Sequence, residues 1–180
     1  MITQKKILII GSAGSGKTTF SKKLHEILEI PLIHLDKEYW QPNWQSPDHD
    51  KWVARVDEIL EKEEWILDGN YKSTLEKRIA KAELVIFLDL KRTVCVRSVL
   101  KRIKMYRGKT RDDLNSECPE KFDWEFLKWV WSFPKKYRPE ILALLEKYSS
   151  VKVITLKKRK QVNKFLQELK EEKNGKKCKI

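Results

Sequence analysis

Apolar residues fall into two rhythms along this chain. Short apolar runs of the kind that form buried strands occur at Ile7-Leu8-Ile9-Ile10, Pro31-Leu32-Ile33-His34-Leu35, Trp65-Ile66-Leu67, Leu84-Val85-Ile86-Phe87-Leu88 and Val151 to Leu156. Between them, apolar positions recur every three or four residues, the spacing of one helix face. Such stripes are Phe20, Leu24, Ile27, Leu28; then Trp52, Val53, Val56, Ile59, Leu60; then Val96, Val99, Leu100, Ile103. Three more follow at Trp124, Leu127, Val130, Trp131, at Ile141, Leu144, Leu145, Tyr148, and at Val162, Phe165, Leu166, Leu169. A shorter helix is expected over 75–82. Thr93 is placed to cap its helix and Pro134 to break the tryptophan-rich one. Strands alternating with helices predict an α/β fold, a five-stranded parallel sheet covered on both faces. No internal repeat is visible.

The first strand run leads into Gly11-Ser12-Ala13-Gly14-Ser15-Gly16-Lys17-Thr18, followed by Thr19 and the first helical stripe. This is G-x-x-x-x-G-K-[ST], the phosphate-binding P-loop, in the strand-to-helix setting its mechanism requires. The glycines let backbone N–H groups turn inward around a phosphate. Lys17 sets a charge between the β- and γ-phosphates, and the Thr18 hydroxyl can ligate a bridging Mg²⁺. Residues 11–19 are therefore the expected nucleotide cradle.

Strand ends add candidate chemistry, because ligands in such sheets collect at the carboxyl ends of strands. Asp36 follows the second strand run and is placed to meet a substrate or the metal shell, or else to cap a helix. Asp68, before Gly69, suits the water shell of Mg²⁺. His34 reads as a core-facing strand residue or, less simply, a catalyst. The aromatics Tyr39, Trp40 and Trp44 line an acceptor pocket or form a small satellite core.

Charge is distributed unevenly. The net +13 divides into −2 for residues 1–90, with 13 Lys and Arg against 15 Asp and Glu, and +15 for residues 91–180, with 26 against 11. From Lys91 to Arg111 there are nine basic residues and no acidic one. Such a half suits either nucleic acid or a triphosphate site served by the arginines of a lid. Arg107 to Lys121 is polar and reads as that lid. Residues 171–180 read as a solvated, frayed basic tail. Cys95, Cys118 and Cys178 have neither pairing nor metal-ligand spacing and fit a reducing cytoplasm. No apolar run approaches a membrane span or a signal peptide.

The P-loop, His34-Leu35-Asp36, the Pro42/Trp44 loop, Trp65 to Tyr71 and Cys118-Pro119-Glu120-Lys121-Phe122 together resemble the DNA topology modulation protein family (FlaR-like), within the adenylate-kinase-like P-loop kinases. The resemblance covers the chain to about residue 170 and implies one domain over 1–170. It implies the strand order 2-3-1-4-5, an acceptor-binding segment near 37–64 and a lid near 105–123. It casts Asp68 as the aspartate supporting Mg²⁺ and Arg102 as the arginine over adenine and phosphates. Lys157 and Lys158 fall in the loop whose backbone reads adenine. Asn70-Tyr71-Lys72 stands where adenylate kinases carry Phe-Pro-Arg, and Asp36 looks more like the acceptor acid of shikimate- and gluconate-type kinases.

The expectation is an ATP- and Mg²⁺-dependent phosphotransferase acting on a small molecule. Lys17, Asp36, Arg102, Arg107 and Arg111 would perform the transfer. Thr18 and Asp68 would serve the metal. Asp36, Trp40, Trp44, Asn70, Tyr71, Arg78 and Arg138 would hold the acceptor. The alternative is an ATP-binding regulator acting on DNA topology, with weak or indirect nucleic-acid contact. A monomer or a dimer suits either.

Overall fold

The computed structural model describes residues 2–114 and 117–177; Cys178, the end of the basic tail and residues 115–116 of the lid segment lie outside them. The expected strands are β1 (Lys6–Gly11), β2 (Leu32–His34), β3 (Trp65–Asp68), β4 (Leu84–Leu88) and β5 (Lys152–Leu156). They form one sheet in the order β2-β3-β1-β4-β5, every neighbouring pair parallel. Parallel neighbours need crossovers, and helices supply them. These are α1 (Lys17–Leu28), α2 (Leu35–Tyr39), α3 (His49–Leu60), α4 (Lys72–Lys81), α5 (Arg92–Tyr106), α6 (Trp124–Lys136) and α7 (Arg138–Lys147), and α8 (Arg159–Lys177) follows the last strand.

The apolar runs are continuous because both sheet faces are buried. Leu8, Ile10, Trp65, Leu67, Val85 and Phe87 face a core closed by Trp52, Val56, Leu75, Ile79, Ile141 and Leu145. Their alternates, Ile7, Ile9, Ile66, Leu84, Ile86 and Leu88, meet Phe20 and Leu24 of α1 and Val162, Leu166 and Leu169 of α8. Each such side chain, fully buried, contributes about 1.5–3 kcal/mol, so packing rather than local propensity holds the sheet. A third cluster, Leu90, Cys95, Val99, Ile103, Leu127 and Val130, joins α5 to α6.

Four local expectations are corrected. Asp36 stands in the first turn of α2 rather than at the end of β2, which stops at His34. Thr93 lies inside the first turn of α5, whose N-cap is Lys91 with no side-chain cap bond. Helix α6 runs past Pro134 to Lys136. The ring contacts Trp129–Phe133 (5.6 Å) and Phe133–Tyr137 (5.8 Å) span the lost hydrogen bond, and the chain turns at Tyr137 instead. The start of the expected frayed tail is helical to Lys177, supported by the Gln167–Glu171 bond and by Lys173 on Glu29 of α1.

This topology brings the carboxyl ends of β1, β3 and β2 side by side, with His34 beside Asp68 and Ile9 beside Asp68 in register. The P-loop, Asp68 and Asp36 therefore lie together at the carboxyl end of the sheet, and the irregular segment between α5 and α6 reaches the P-loop at Thr18.

Candidate active site

The P-loop needs glycine for steric reasons visible in its surroundings. A Cβ on Gly14 (φ +74°) would collide with the Cys95 carbonyl, and one on Gly11 (φ +145°) would stand 2.6 Å from the Leu88 carbonyl oxygen. Ser15 N–H donates to the Ser12 carbonyl (3.1 Å) and closes the turn. Ala13 packs against the α5–α6 cluster, and Thr19 is exposed on the first turn of α1. Lys17 Nζ donates to the carbonyls of Gly11 (2.9 Å) and Ser12 (3.2 Å), across the mouth of the loop. Burial pulls the Lys17 pKa below its ordinary value, while Asp36 and Asp68 oppose the fall. The buried Ser15 hydroxyl has no hydrogen-bond partner among the described residues. An unpaired polar atom inside a loop of this kind is what a phosphate cradle supplies.

The acids stand in different surroundings. Asp68 is buried; its Oδ2 accepts from Ser21 Oγ (2.8 Å) and its Oδ1 meets His34 Nδ1 (2.9 Å). Burial depresses the His34 pKa, and Asp68 more than reverses this, so the ring titrates above its usual value. Asp36 accepts a 2.8 Å bond from the Tyr71 hydroxyl. Burial raises its carboxyl above the ordinary aspartate range, and Lys17 and the Tyr71 bond pull it back. Burial and the Asp36 charge also push the Tyr71 phenol up.

Two of the residues expected at the acceptor have backbone partners. Arg78 is fully buried, and its guanidinium donates to the carbonyls of Gly69 (2.9 Å), Asn70 and Tyr71 (2.8 Å) and to Thr74 Oγ1 (3.2 Å). It anchors the β3–α4 turn; burial pulls its pKa down to about 9. Asn70 grips Gly11 from both sides, accepting from its N–H (3.1 Å) and donating to its carbonyl (2.8 Å). These bonds fix where the P-loop begins. Tyr71 stays at the site, with φ +26° and ring contacts to Tyr39 (4.5 Å) and Trp52 (4.9 Å).

The segment between α5 and α6 carries a chain of paired charges. Thr18 Oγ1 donates to Asp113 Oδ2 (3.1 Å), and Arg111 Nη1 donates to the same oxygen (3.0 Å). Arg111 Nε also lies 3.1 Å from Glu120 Oε2, an ion pair without hydrogen-bond alignment, and Arg102 grips Glu120 Oε1 at 2.8 Å. Burial and the Arg111 charge lower the Arg102 pKa, and Glu120 opposes them. Arg107 is exposed just after α5. The same segment is clasped to residues 41–44 as well. Asn43 N–H donates to the Glu117 carbonyl (3.0 Å), Trp44 Nε1 to the Pro119 carbonyl (3.1 Å) and Cys118 Sγ to the Gln41 carbonyl (3.2 Å). Trp40 stacks edge-on against Trp44 (5.4 Å) and Tyr39 (4.9 Å). Beside Tyr71 a cavity of about 340 Å³ has Tyr39 and Trp52 in its wall and His49, Lys72 and Ser73 at its exposed rim.

Arg138 makes a forked contact with both oxygens of Asp89 (2.9 and 3.0 Å), which spends its guanidinium on the end of β4. Lys157 and Lys158 have exposed side chains, and their N–H groups donate to Gln161 Oε1 (2.9 and 3.0 Å). Next to them stands a residue that spacing did not single out. Arg159 crosses to the P-loop and donates to the carbonyls of Ser15 (2.7 Å) and Gly14 (3.0 Å). Asp113 and Asp89 were likewise unmarked by any local pattern, and Glu120 entered only as part of the Cys118–Phe122 segment. The one available signal was the return of acids, Asp112, Asp113, Glu117 and Glu120, after the acid-free run from Lys91 to Arg111.

The donor set fits a hard divalent cation beside a triphosphate. The Thr18 hydroxyl and the Asp113 carboxylate are hard oxygens, and Asp68 stands close enough to Lys17 to shift its titration. Among the described residues, no group of three or more His, Cys, Asp or Glu side chains gathers to hold a metal by itself. The phosphates and water would have to complete the shell, as is usual for Mg²⁺.

Solved structures resemble this arrangement along nearly its whole length. The fold is that of the P-loop kinases. Shikimate kinase from Acinetobacter baumannii, in complex with shikimate, superposes with a TM-score of 0.53 at 14% identity, covering 93% of this chain and 91% of that one. A gluconokinase from Sinorhizobium meliloti 1021 does so with a TM-score of 0.50 at 15% identity, covering 94% and 91%. Among curated proteins, the ATPase subunit HslU of an ATP-dependent protease from Helicobacter pylori is 27% identical over 82 residues, which is 45% of this chain and 18% of HslU. No family model matches the chain. No described helix is long and apolar enough to cross a membrane.

Proposed function

We propose that this chain is an ATP- and Mg²⁺-dependent phosphotransferase acting on a small hydroxyl-bearing acceptor. The observation that carries the reading is the P-loop itself, whose Ser15 hydroxyl is buried without a partner among the described residues while Lys17 Nζ spans the mouth on the Gly11 and Ser12 carbonyls. Asp36, held by the Tyr71 hydroxyl, supplies the carboxylate that a phosphoryl transfer uses on the acceptor side.

In this reading the P-loop amides and Lys17 hold the β- and γ-phosphates. Thr18 and Asp68 would serve a bound Mg²⁺, which would supply charge neutralisation at the phosphates. Arg102 and Arg111, paired here with Glu120 and Asp113, turn to the transferring group once nucleotide is bound, and Arg107 joins them at the lid's base. Asp36 orients the acceptor hydroxyl and accepts its proton, with Tyr71 fixing the carboxylate. The cavity beside Tyr71 receives the rest of the acceptor, with Trp40 and Trp44 joining that wall to the lid. The loop at Lys157 and Lys158 lies next to the adenine. The segment 37–64 and the lid 105–123 are the substrate-closing parts of one domain over 1–170. The likeness to shikimate kinase and gluconokinase, whose names describe hydroxylated acids, supports an alcohol acceptor. The segments quoted above support a place among the FlaR-like proteins.

Two substitutions divide the reading. Lys17→Ala is expected to abolish tight ATP binding in a folded protein, a loss of a few kcal/mol of charge-assisted contact. Asp36→Asn is expected to leave ATP affinity unchanged and remove acceptor-stimulated turnover, about 10²–10⁴-fold. Calorimetric ATP titrations beside turnover assays check both. ATP affinity lost with Asp36→Asn would move that residue out of the acceptor site.

A further inference from the structure

We propose that Asp113, delivered by the lid, is a direct ligand of the nucleotide-bound metal, sharing it with Thr18. The inference rests on the phosphotransferase reading above and adds a residue to it. Asp113 and Thr18 are 95 positions apart, yet Thr18 Oγ1 and Asp113 Oδ2 stand 3.1 Å from one another. Neighbouring oxygens of an octahedral Mg²⁺, each about 2.0–2.1 Å from the ion, are about 3 Å apart. The hydroxyl and the carboxylate already have the separation of two adjacent ligands.

The other acids near the loop are engaged elsewhere. Asp68 divides its oxygens between Ser21 and His34, and Asp36 takes the Tyr71 hydroxyl. Asp113 is the carboxylate that reaches Thr18, and at 5% exposure it does so out of bulk water, where a charge must be balanced. Arg111 provides that balance here, at 3.0 Å from the same Oδ2. A divalent cation can take over that role. Arg111 then keeps Glu120 and gains freedom to face the phosphates. Asp113 in this role makes lid closure and metal binding one event, because the lid cannot leave without removing a ligand.

Mn²⁺ in place of Mg²⁺, with a non-hydrolysable ATP analogue, gives a direct readout through the electron paramagnetic resonance of free Mn²⁺. Asp113→Asn is expected to weaken Mn²⁺ binding to the protein–nucleotide complex about tenfold or more. Its affinity for the nucleotide in EDTA should match wild type. Arg111→Met, which removes a neighbouring cation, is expected to hold or raise Mn²⁺ affinity. Asp113→Glu, which keeps a carboxylate, should recover more affinity than the Asn variant, and thermal melts establish that each variant is folded. Wild-type Mn²⁺ affinity in Asp113→Asn would overturn the proposal. So would an equal loss in Arg111→Met, which would make Asp113 an anchor for the arginine. A wild-type protein that binds no nucleotide would bring down the phosphotransferase reading itself, a separate outcome.

Discussion

At Asp36 burial opposes the charged carboxylate, while Lys17 and the Tyr71 hydroxyl favour it. Burial wins, so the group ionises above the ordinary aspartate value of about 3.9. A proton acceptor works only when ionised. Raising its pKa therefore moves the acid limb of kcat/KM upward, and activity should rise with pH through a limb above that ordinary value. Tyr71→Phe removes one stabiliser of the charge and should move the limb higher still, while Asp36→Asn should erase it. A pH profile of kcat/KM for the three proteins checks this, and a limb unmoved in Tyr71→Phe would dissociate the tyrosine from the acid. Residue types legible in the sequence divide at this scale. Lys17 and Thr18 are identified by a motif whose function is local. Arg78 and Asn70 carry the same kind of polar side chain, but their partners are the carbonyls of Gly69 to Tyr71 and the backbone of Gly11. Spacing cannot distinguish a guanidinium that faces a ligand from one that satisfies a buried turn.

Elements were legible wherever one rhythm ran unbroken. All five strands and the longer helices between them, though not the short α2, follow from the apolar pattern, because burial of both sheet faces leaves no polar interruption in β1 and β4. Residues 107–121 and 40–45 were visible only as polar or aromatic stretches, since they are held by each other. Asn43 (φ 59°), Trp44 (φ 60°) and Glu117 (φ 68°) all adopt left-handed backbone at the clasp between them. Such a conformation costs a non-glycine residue about 1–2 kcal/mol, and the three hydrogen bonds across the clasp return about 0.5–1.5 kcal/mol each. The bonds thus offset much of the backbone cost, and each loop is held in this conformation by the other. Trp44→Phe, which keeps the ring and deletes the Pro119 bond, should raise amide exchange at both 41–45 and 117–120 by up to about tenfold, the equivalent of one such bond. Faster exchange confined to 41–45 would mean that the loops move independently.

Across the molecule, the basic half is partly internal. Arg102 and Arg111 are committed to Glu120 and Asp113, Arg159 to the P-loop carbonyls, and Arg92 lies over the Trp131 ring at 4.2 Å. The first three are spent around the P-loop and its neighbouring segment and the fourth on the α5–α6 contact, which the net value alone did not reveal. The remaining exposed lysines give duplex DNA a non-specific surface, with expected dissociation constants of about 10⁻⁴–10⁻⁶ M at physiological salt. The most direct measurement follows ADP release and the mass of any phosphorylated product, with ATP, Mg²⁺ and a panel of hydroxylated acids, sugars and nucleosides, and with supercoiled DNA in a parallel arm. The account predicts that one class of acceptor accelerates ADP release and gains a phosphoryl group, and that Asp36→Asn removes this acceleration. ATP turnover indifferent to every acceptor but stimulated by supercoiled DNA would contradict it.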